Sequence, residues 1–73
     1  MNRSRLVAVL KKVFLSHRNR VYSVKQLSKK FDCSKQVLVS VLHELVEDNF
    51  LLRFEYGQRS VYALNPVVKY VRS

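Results

Sequence analysis

Three stretches of the chain have apolar residues at the spacing of three and four that is typical of helices with one buried face. The first stretch covers residues 3–17, and its stripe consists of Leu6, Val9, Leu10, Val13 and Phe14. Val7 and Leu15 widen this stripe beyond one contact face. We therefore expect a first amphipathic helix, which either packs only on the rest of its own chain or also meets a second subunit.

The other two helical stripes lie close together, between Ser23 and Asn49. They consist of Val24, Leu27 and Phe31, and of Leu38, Val41, Leu42 and Leu45. Ser23 and Gln26 are spaced as a capping box for the first of these helices, and Ser34 is a good N-cap for the second. Only a short turn around Cys33 separates them. The pattern predicts a helix-turn-helix.

Residues 51–64 have the aromatic and β-branched composition of a β-hairpin, interrupted once at Gly57. A loop of two residues, 57 and 58, gives one face the side chains of Leu51, Arg53, Glu55, Ser60, Tyr62 and Leu64. A loop of three residues would instead combine Leu52 and Phe54 with Tyr62 and Leu64. Both registers are open at this stage, and both place Arg59 at or beside the tip.

Two short segments flank these elements. Residues 21–23 have the composition of a short strand, which we expect to pair with the hairpin. Residues 67–73 follow Pro66 and are too few to fold alone. This tail docks on the first helix, joins a dimer contact or frays.

Composition and charge restrict the function. The chain has 73 residues, 48% of them hydrophobic, with a net charge of +9 and only one Gly and one Pro. We expect a single domain over residues 1–73 that is α+β and mainly α. Residues 1–35 contain ten of the fourteen Lys and Arg residues and one acid, Asp32, whereas residues 36–73 contain four of each sign. Such an asymmetry favours a nucleic-acid partner or an anionic membrane surface.

The sequence contains no run of about 18 apolar residues and no signal-peptide pattern, so we expect an intracellular, cytoplasmic protein without a membrane partner. Cys33 is the only cysteine, which excludes an intrachain disulfide. His17 and His43 are far apart in the sequence, and we expect neither to have the thiol and carboxylate partners that a metal site needs. We expect no cofactor, no metal and no small-molecule ligand. No nucleophile, base and orienting group can be assembled, which argues against an enzyme.

The order of helix, short strand, two helices and hairpin resembles a winged-helix DNA-binding domain. It is similar to domains of the arsenic-repressor and multiple-antibiotic-resistance-regulator families, and to small regulators of archaea and their viruses. The matching stretches within residues 21–64 are SVKQLSKKF, SKQVLVSVLHELVEDNFLL and GQRSVYAL. Asn49 replaces the usual Gly after the recognition helix, and Asn also suits a left-handed C-cap. The metal-sensor cysteines and the long dimerisation helices of these families are absent.

The resemblance implies that residues 34–48 form the recognition helix and that the hairpin of residues 51–64 is the wing. Polar and exposed positions of that helix are candidates to contact DNA bases: Lys35, Gln36, Val39, Ser40 and His43. Candidates for phosphate contacts are Ser23, Lys25, Lys29, Lys30, Ser34, Arg53 and Arg59. Arg3 and Arg5 form either a flexible basic arm for the minor groove or a free terminus.

The leading hypothesis is a transcriptional regulator that binds double-stranded DNA as a homodimer. Two alternatives are a winged helix used as a protein-interaction module and a low-specificity architectural or RNA-binding protein. Winged helices that bind left-handed DNA have a related layout. Their characteristic Asn and Tyr on the recognition helix are absent here, where Val39 and His43 stand at roughly those places.

Overall fold

Three helices and three strands follow one another in the predicted order. A computed structural model describes residues 2–68. The elements are α1 Arg3–Ser16, β1 Val21–Ser23, α2 Val24–Lys30, α3 Lys35–Glu47, β2 Leu51–Tyr56 and β3 Arg59–Leu64. Together they form a mainly helical α+β fold with a helix-turn-helix and a hairpin, as the sequence predicts.

Side-chain caps begin the two helices of the helix-turn-helix. The hydroxyl oxygen of Ser23 accepts from the backbone N–H of Gln26, whose side-chain oxygen accepts from the N–H of Ser23, at 3.2 and 2.9 Å. The Ser34 hydroxyl accepts from the N–H of Val37 at the start of α3. These caps satisfy amide donors that have no partner within the helix. Both predicted caps are confirmed.

The end of α3 is a Schellman motif built on Asn49. This residue has a φ of 62°, in the left-handed region. The N–H groups of Asn49 and Phe50 then bond to the carbonyls of Val46 and Leu45 at 3.0 and 2.9 Å. The sharp reversal sends the chain directly into β2.

The three strands form an antiparallel sheet in the order β1-β3-β2. Tyr56 pairs with Arg59 across a two-residue loop, and Leu51 pairs with Leu64 at the other end of the hairpin. Gly57 has a φ of 61°. A positive φ at only the first loop residue is typical of a type II′ turn, which suits the twist of a hairpin. The two-residue register is therefore correct, and the three-residue alternative is wrong.

The core lies between the helices and the inner face of the sheet. Helix α1 contributes Leu6, Leu10 and Phe14, and α3 contributes its whole predicted stripe. The remaining buried residues are Leu27, Phe31, Leu51, Tyr62 and Leu64. The rings of Phe14 and Tyr22 meet edge to face at 5.3 Å, which joins α1 to β1. Val7 and Leu15, which widen the α1 stripe, are half-buried against this core.

The segment after β3 turns towards the connector between α1 and β1. Val68 is half-buried against the core, and its carbonyl accepts from the Arg18 guanidinium at 3.2 Å. Residues 69–73, which form most of the tail considered above, lie outside the described residues. None of the helices within residues 2–68 is long and apolar enough to cross a membrane.

Candidate nucleic-acid interface

An open groove of about 580 Å³ separates the exposed face of α3 from the sheet. Its lining contains all five predicted base-contacting residues together with a cation and an aromatic residue of the sheet: Lys35, Gln36, Val39, Ser40, His43, Arg53 and Tyr62. We call it the α3 groove. The five α3 residues lie on one side of the helix because each is three or four positions from another member of the set, which is the spacing of one helical turn.

A second groove, of about 320 Å³, lies where α2, α3 and the tip of the hairpin meet. We call it the tip groove, and its lining consists of Ser23, Val24, Lys25, Lys35, Val39, Arg59 and Ser60. Lys35 and Val39 line both grooves, so the two form one continuous concave surface.

The charge of this surface is one-sided. Lys25, Lys35, Arg53 and Arg59 contribute four cations to the two linings, which contain no Asp or Glu. Hydroxyl and amide groups of Ser23, Gln36, Ser40 and Ser60 lie between them. A concave surface with several cations and neutral hydrogen-bonding groups attracts anions such as phosphate.

Some side chains of the α3 groove already bond to other protein groups, and others do not. Ser40 accepts from the Arg3 guanidinium at 3.1 Å, and His43 Nε2 lies 2.9 Å from a Glu47 carboxylate oxygen. Lys35 and Gln36 make no side-chain hydrogen bond with the described residues. These two residues, at the start of α3, can therefore bind a ligand without first losing a protein contact.

Arg53 is held in place by its own strand pair. Its Nη2 lies 2.9 Å from a Glu55 carboxylate oxygen and 3.2 Å from the Ser60 hydroxyl. The three residues share the inner face of the sheet, because Glu55 and Ser60 are cross-strand partners. Glu55 offsets part of the Arg53 charge, which makes Lys35, Lys25 and Arg59 the less restrained cations of the surface.

Comparison with other proteins identifies the fold. No family model and no curated protein matches the chain. Among solved structures, the viral Zalpha domain bound to left-handed Z-DNA superposes with a TM-score of 0.76 and 18% identity, covering 88% of this chain and 91% of the Zalpha chain. A structure of the DNA recognition and protein interaction domains of HOP2 gives a TM-score of 0.69 and 21% identity, covering 81% and 97%. The chain is a winged helix.

In winged-helix nomenclature, α3 has the position called the recognition helix, and the hairpin of β2 and β3 is the wing. Both grooves adjoin α3, and the wing contributes Arg53 to one of them and Arg59 to the other. Three predicted phosphate residues line neither groove: Lys29, Lys30 and Ser34. The two lysines are exposed on the last turn of α2, and the Ser34 hydroxyl caps α3.

Arg3 contacts α3 beside this site in a way that the sequence does not reveal. It is the first residue of α1, and its guanidinium contacts Ser40 and Glu44 of the recognition helix. It is thus neither a free terminus nor a flexible arm. The amphipathic pattern places Arg3 on a helix, but a contact across 37 positions has no signal in that pattern.

The C-terminal end of the recognition helix has the opposite charge. Glu44, Glu47 and Asp48 line a third depression there together with His43, which also lines the α3 groove. Carboxylates repel phosphate, so an approaching polyanion meets the N-terminal half of α3 rather than this end. The two ends of α3 therefore differ in charge.

The described residues offer little for metal or redox chemistry. Within residues 2–68, no three groups of His, Cys, Asp or Glu are arranged to hold a metal ion. Cys33 is a free, half-buried thiol that packs against the core at the turn between α2 and α3. The candidate site consists of the cations, hydrogen-bonding groups and two valines, Val24 and Val39, that line the two grooves.

Proposed function

We propose that this protein is a transcriptional regulator that binds double-stranded DNA, with the N-terminal half of α3 in the major groove and the wing against the flanking backbone. The observation that carries this proposal is the continuous concave surface along α3 and the wing, whose linings contain four cations and no acid. The fold likeness to the Zalpha domain bound to Z-DNA and to the DNA recognition domain of HOP2 supports it. Such a regulator acts in the cytoplasm, associated with DNA.

The candidate side chains on α3 contact the bases in this proposal. Lys35 donates to guanine or to phosphate, and Gln36 pairs with adenine through its donor and its acceptor. Val39 contacts a thymine methyl group, whereas Ser40 and His43 contact bases at the end nearer the acidic residues. Because Ser40 and His43 already have protein partners, we assign most of the sequence discrimination to Lys35, Gln36 and Val39.

The phosphate contacts surround this helix. Lys25, Arg53 and Arg59 line the grooves and contact the backbone that borders the major groove. Lys29 and Lys30 extend the positive surface along α2, and the hydroxyl groups of Ser23 and Ser34 each keep a hydrogen that they can donate. These contacts position the recognition helix without reading sequence.

A second candidate ligand is left-handed DNA, which the fold likeness to the Zalpha domain favours. The sequence of α3 argues against it, because Val39 and His43 stand at roughly the places where Asn and Tyr are characteristic of binders of left-handed DNA. His43 is also engaged by Glu47. Circular dichroism of an alternating dC-dG duplex distinguishes the candidates: under our proposal, adding the protein does not invert the spectrum to that of the left-handed form.

Selection of bound sequences from a random pool of DNA duplexes tests the proposed function. A regulator of this kind enriches a consensus, and a dimer enriches two half-sites about one helical turn apart. A pool that is retained without enrichment indicates a low-specificity architectural protein. A pool that is not retained at all contradicts DNA binding and favours the protein-interaction module.

A further inference from the structure

Strand β2 of the wing has an unpaired edge within the described residues. It lies at the end of the sheet order β1-β3-β2, so only one of its sides is bonded to a strand. The Phe50 carbonyl accepts from the N–H of Asn65, which follows β3. Backbone groups alternate sides along a strand, so those of Leu52, Phe54 and Tyr56 also face β3. The N–H and C=O groups of Leu51, Arg53 and Glu55 therefore face the open edge.

We propose that this edge binds the same edge of a second copy of the chain, antiparallel and centred on Phe54. The two wings then form one sheet of six strands. In this register Arg53 lies opposite Glu55 of the second copy, and Glu55 lies opposite Arg53 of the second copy. Both are residues whose backbone groups point outward, so each opposed pair exchanges two backbone hydrogen bonds. Phe54 lies opposite its own symmetry mate.

The charges on β2 select this register over its neighbours. The backbone hydrogen bonds form only where residues that face the open edge lie opposite one another. The two-fold axis can therefore be centred only on a residue of β2, and moving it to a neighbouring residue changes which side chains are paired. A centre on Arg53 opposes two arginines, and a centre on Glu55 opposes two glutamates. Like charges directly opposite destabilise a strand pair, whereas opposite charges stabilise it. Only the centre on Phe54 opposes Arg53 with Glu55 at both positions.

The apolar side chains of β2 fit the same register. Phe54 and Tyr56 are 41% and 67% exposed, on the outer face of the sheet. Around the two-fold axis, Phe54 meets its mate and Leu52 meets Tyr56 of the second copy. Pairs of aromatic and aliphatic residues at opposed positions stabilise sheets. These contacts cover part of an outer face that is otherwise exposed to solvent.

The symmetry of this dimer has a consequence for the recognition helices. A two-fold axis between two antiparallel strands of one sheet runs perpendicular to that sheet. Both copies of α3 pack on the inner face, so both lie on the same side of the six-stranded sheet. The dimer does not need DNA, and its failure would leave the proposed function of the single domain intact.

Analytical ultracentrifugation of the full chain without DNA tests the interface through charge swaps at Arg53 and Glu55. Arg53→Glu and Glu55→Arg each make every opposed pair alike in charge, and each should weaken dimerisation about tenfold or more. The double variant R53E/E55R restores opposite charges and should dimerise within about threefold of the parent chain. A mixture of the two single variants should form a heterodimer, because each supplies the charge that the other lacks.

Amide hydrogen exchange supplies a second measurement that does not depend on substitution. Raising the protein concentration should slow exchange at Arg53 and Glu55 and leave the amides of Leu52 and Phe54, which already bond to β3, unchanged. A parent chain that is monomeric at about 1 mM overturns the proposal. A dimer that both single variants leave intact also overturns it and places the interface elsewhere, such as on α1. Lys12→Glu is the matched control for Arg53→Glu, because it changes the net charge by the same amount at an exposed residue outside β2.

Discussion

The Arg3 guanidinium lies 2.7 Å from the Glu44 carboxylate and ties the first residue of α1 to the C-terminal half of α3. The same Nη2 donates to the Ser40 hydroxyl at 3.1 Å. One cation thus contacts both a candidate base-reading residue and the beginning of the acidic end of α3. The contact sets how α3 presents Ser40, although both charged side chains are about half-exposed.

A double-mutant cycle on Arg3 and Glu44 measures this link. Exposed ion pairs are screened by solvent, so we expect a coupling free energy of about 0.2–1 kcal/mol that falls with added salt. Thermal melts of R3A, E44A and the double variant give the three differences in free energy of unfolding from the parent chain. A coupling that exceeds this range and does not change with salt would contradict the account of a solvated pair.

The positive φ of Asn49 predicts different effects of two small residues at that position. Asn49→Gly should leave the free energy of unfolding within about 0.5 kcal/mol, because Gly adopts the left-handed region without steric cost. Asn49→Ala should lose about 1 kcal/mol and lower the melting midpoint by about 4–8 °C. Equal melting midpoints for the two variants would show that Asn49 does not need this conformation.

Substitutions of two valines on α3 distinguish an effect on stability from an effect on DNA binding. Val41 is fully buried and Val39 is 41% exposed in both grooves. Val41→Ala should destabilise the fold by about 2 kcal/mol, since it removes two methyl groups from the core. Val39→Ala should change stability by no more than about 0.5 kcal/mol. Its effect should be on DNA, with a dissociation constant raised roughly fivefold by the lost apolar contact. Unchanged affinity for the selected duplex in Val39→Ala would remove Val39 from the interface.

The salt dependence of binding counts the phosphate contacts. Four cations line the two grooves, and Lys29 and Lys30 extend the positive surface. The logarithm of the association constant should therefore fall with the logarithm of salt concentration with a slope of about −4 to −5 per protomer. Lys25→Ala should reduce the magnitude of that slope by about one. Fluorescence anisotropy titrations between low and physiological salt supply the slopes, and a slope near zero would exclude an electrostatic interface.

Most of the fold can be predicted from the sequence because local chemistry and periodicity agree. The capping box of Ser23 and Gln26, the Ser34 cap and the Asn49 stop all act within a few residues, and the structure confirms each of them. The apolar stripe of α3 likewise needs only the helical period. Such features need no knowledge of distant contacts.

The hairpin register could not be predicted because both faces of the hairpin contain large apolar residues. Leu51 and Tyr62 on one face compete with Leu52 and Phe54 on the other, and periodicity alone does not say which face is buried. The structure buries the first pair because the helices cover that face, while Phe54 remains exposed. Arg3 is a similar case, since only the packing of α1 on α3 brings it to Ser40.

A comparison of Lys35→Glu with Lys12→Glu tests the central claim most directly. Both variants change the net charge by the same amount, but Lys35 lines both grooves, whereas Lys12 is exposed on α1 and lines neither. An acid in the first turn of α3 suits the helix dipole, so Lys35→Glu should fold normally. With the selected duplex, we predict an affinity about tenfold or more lower for Lys35→Glu and within about threefold of the parent for Lys12→Glu. Equal losses in the two variants, or no loss in Lys35→Glu, would contradict DNA binding through α3 and the wing.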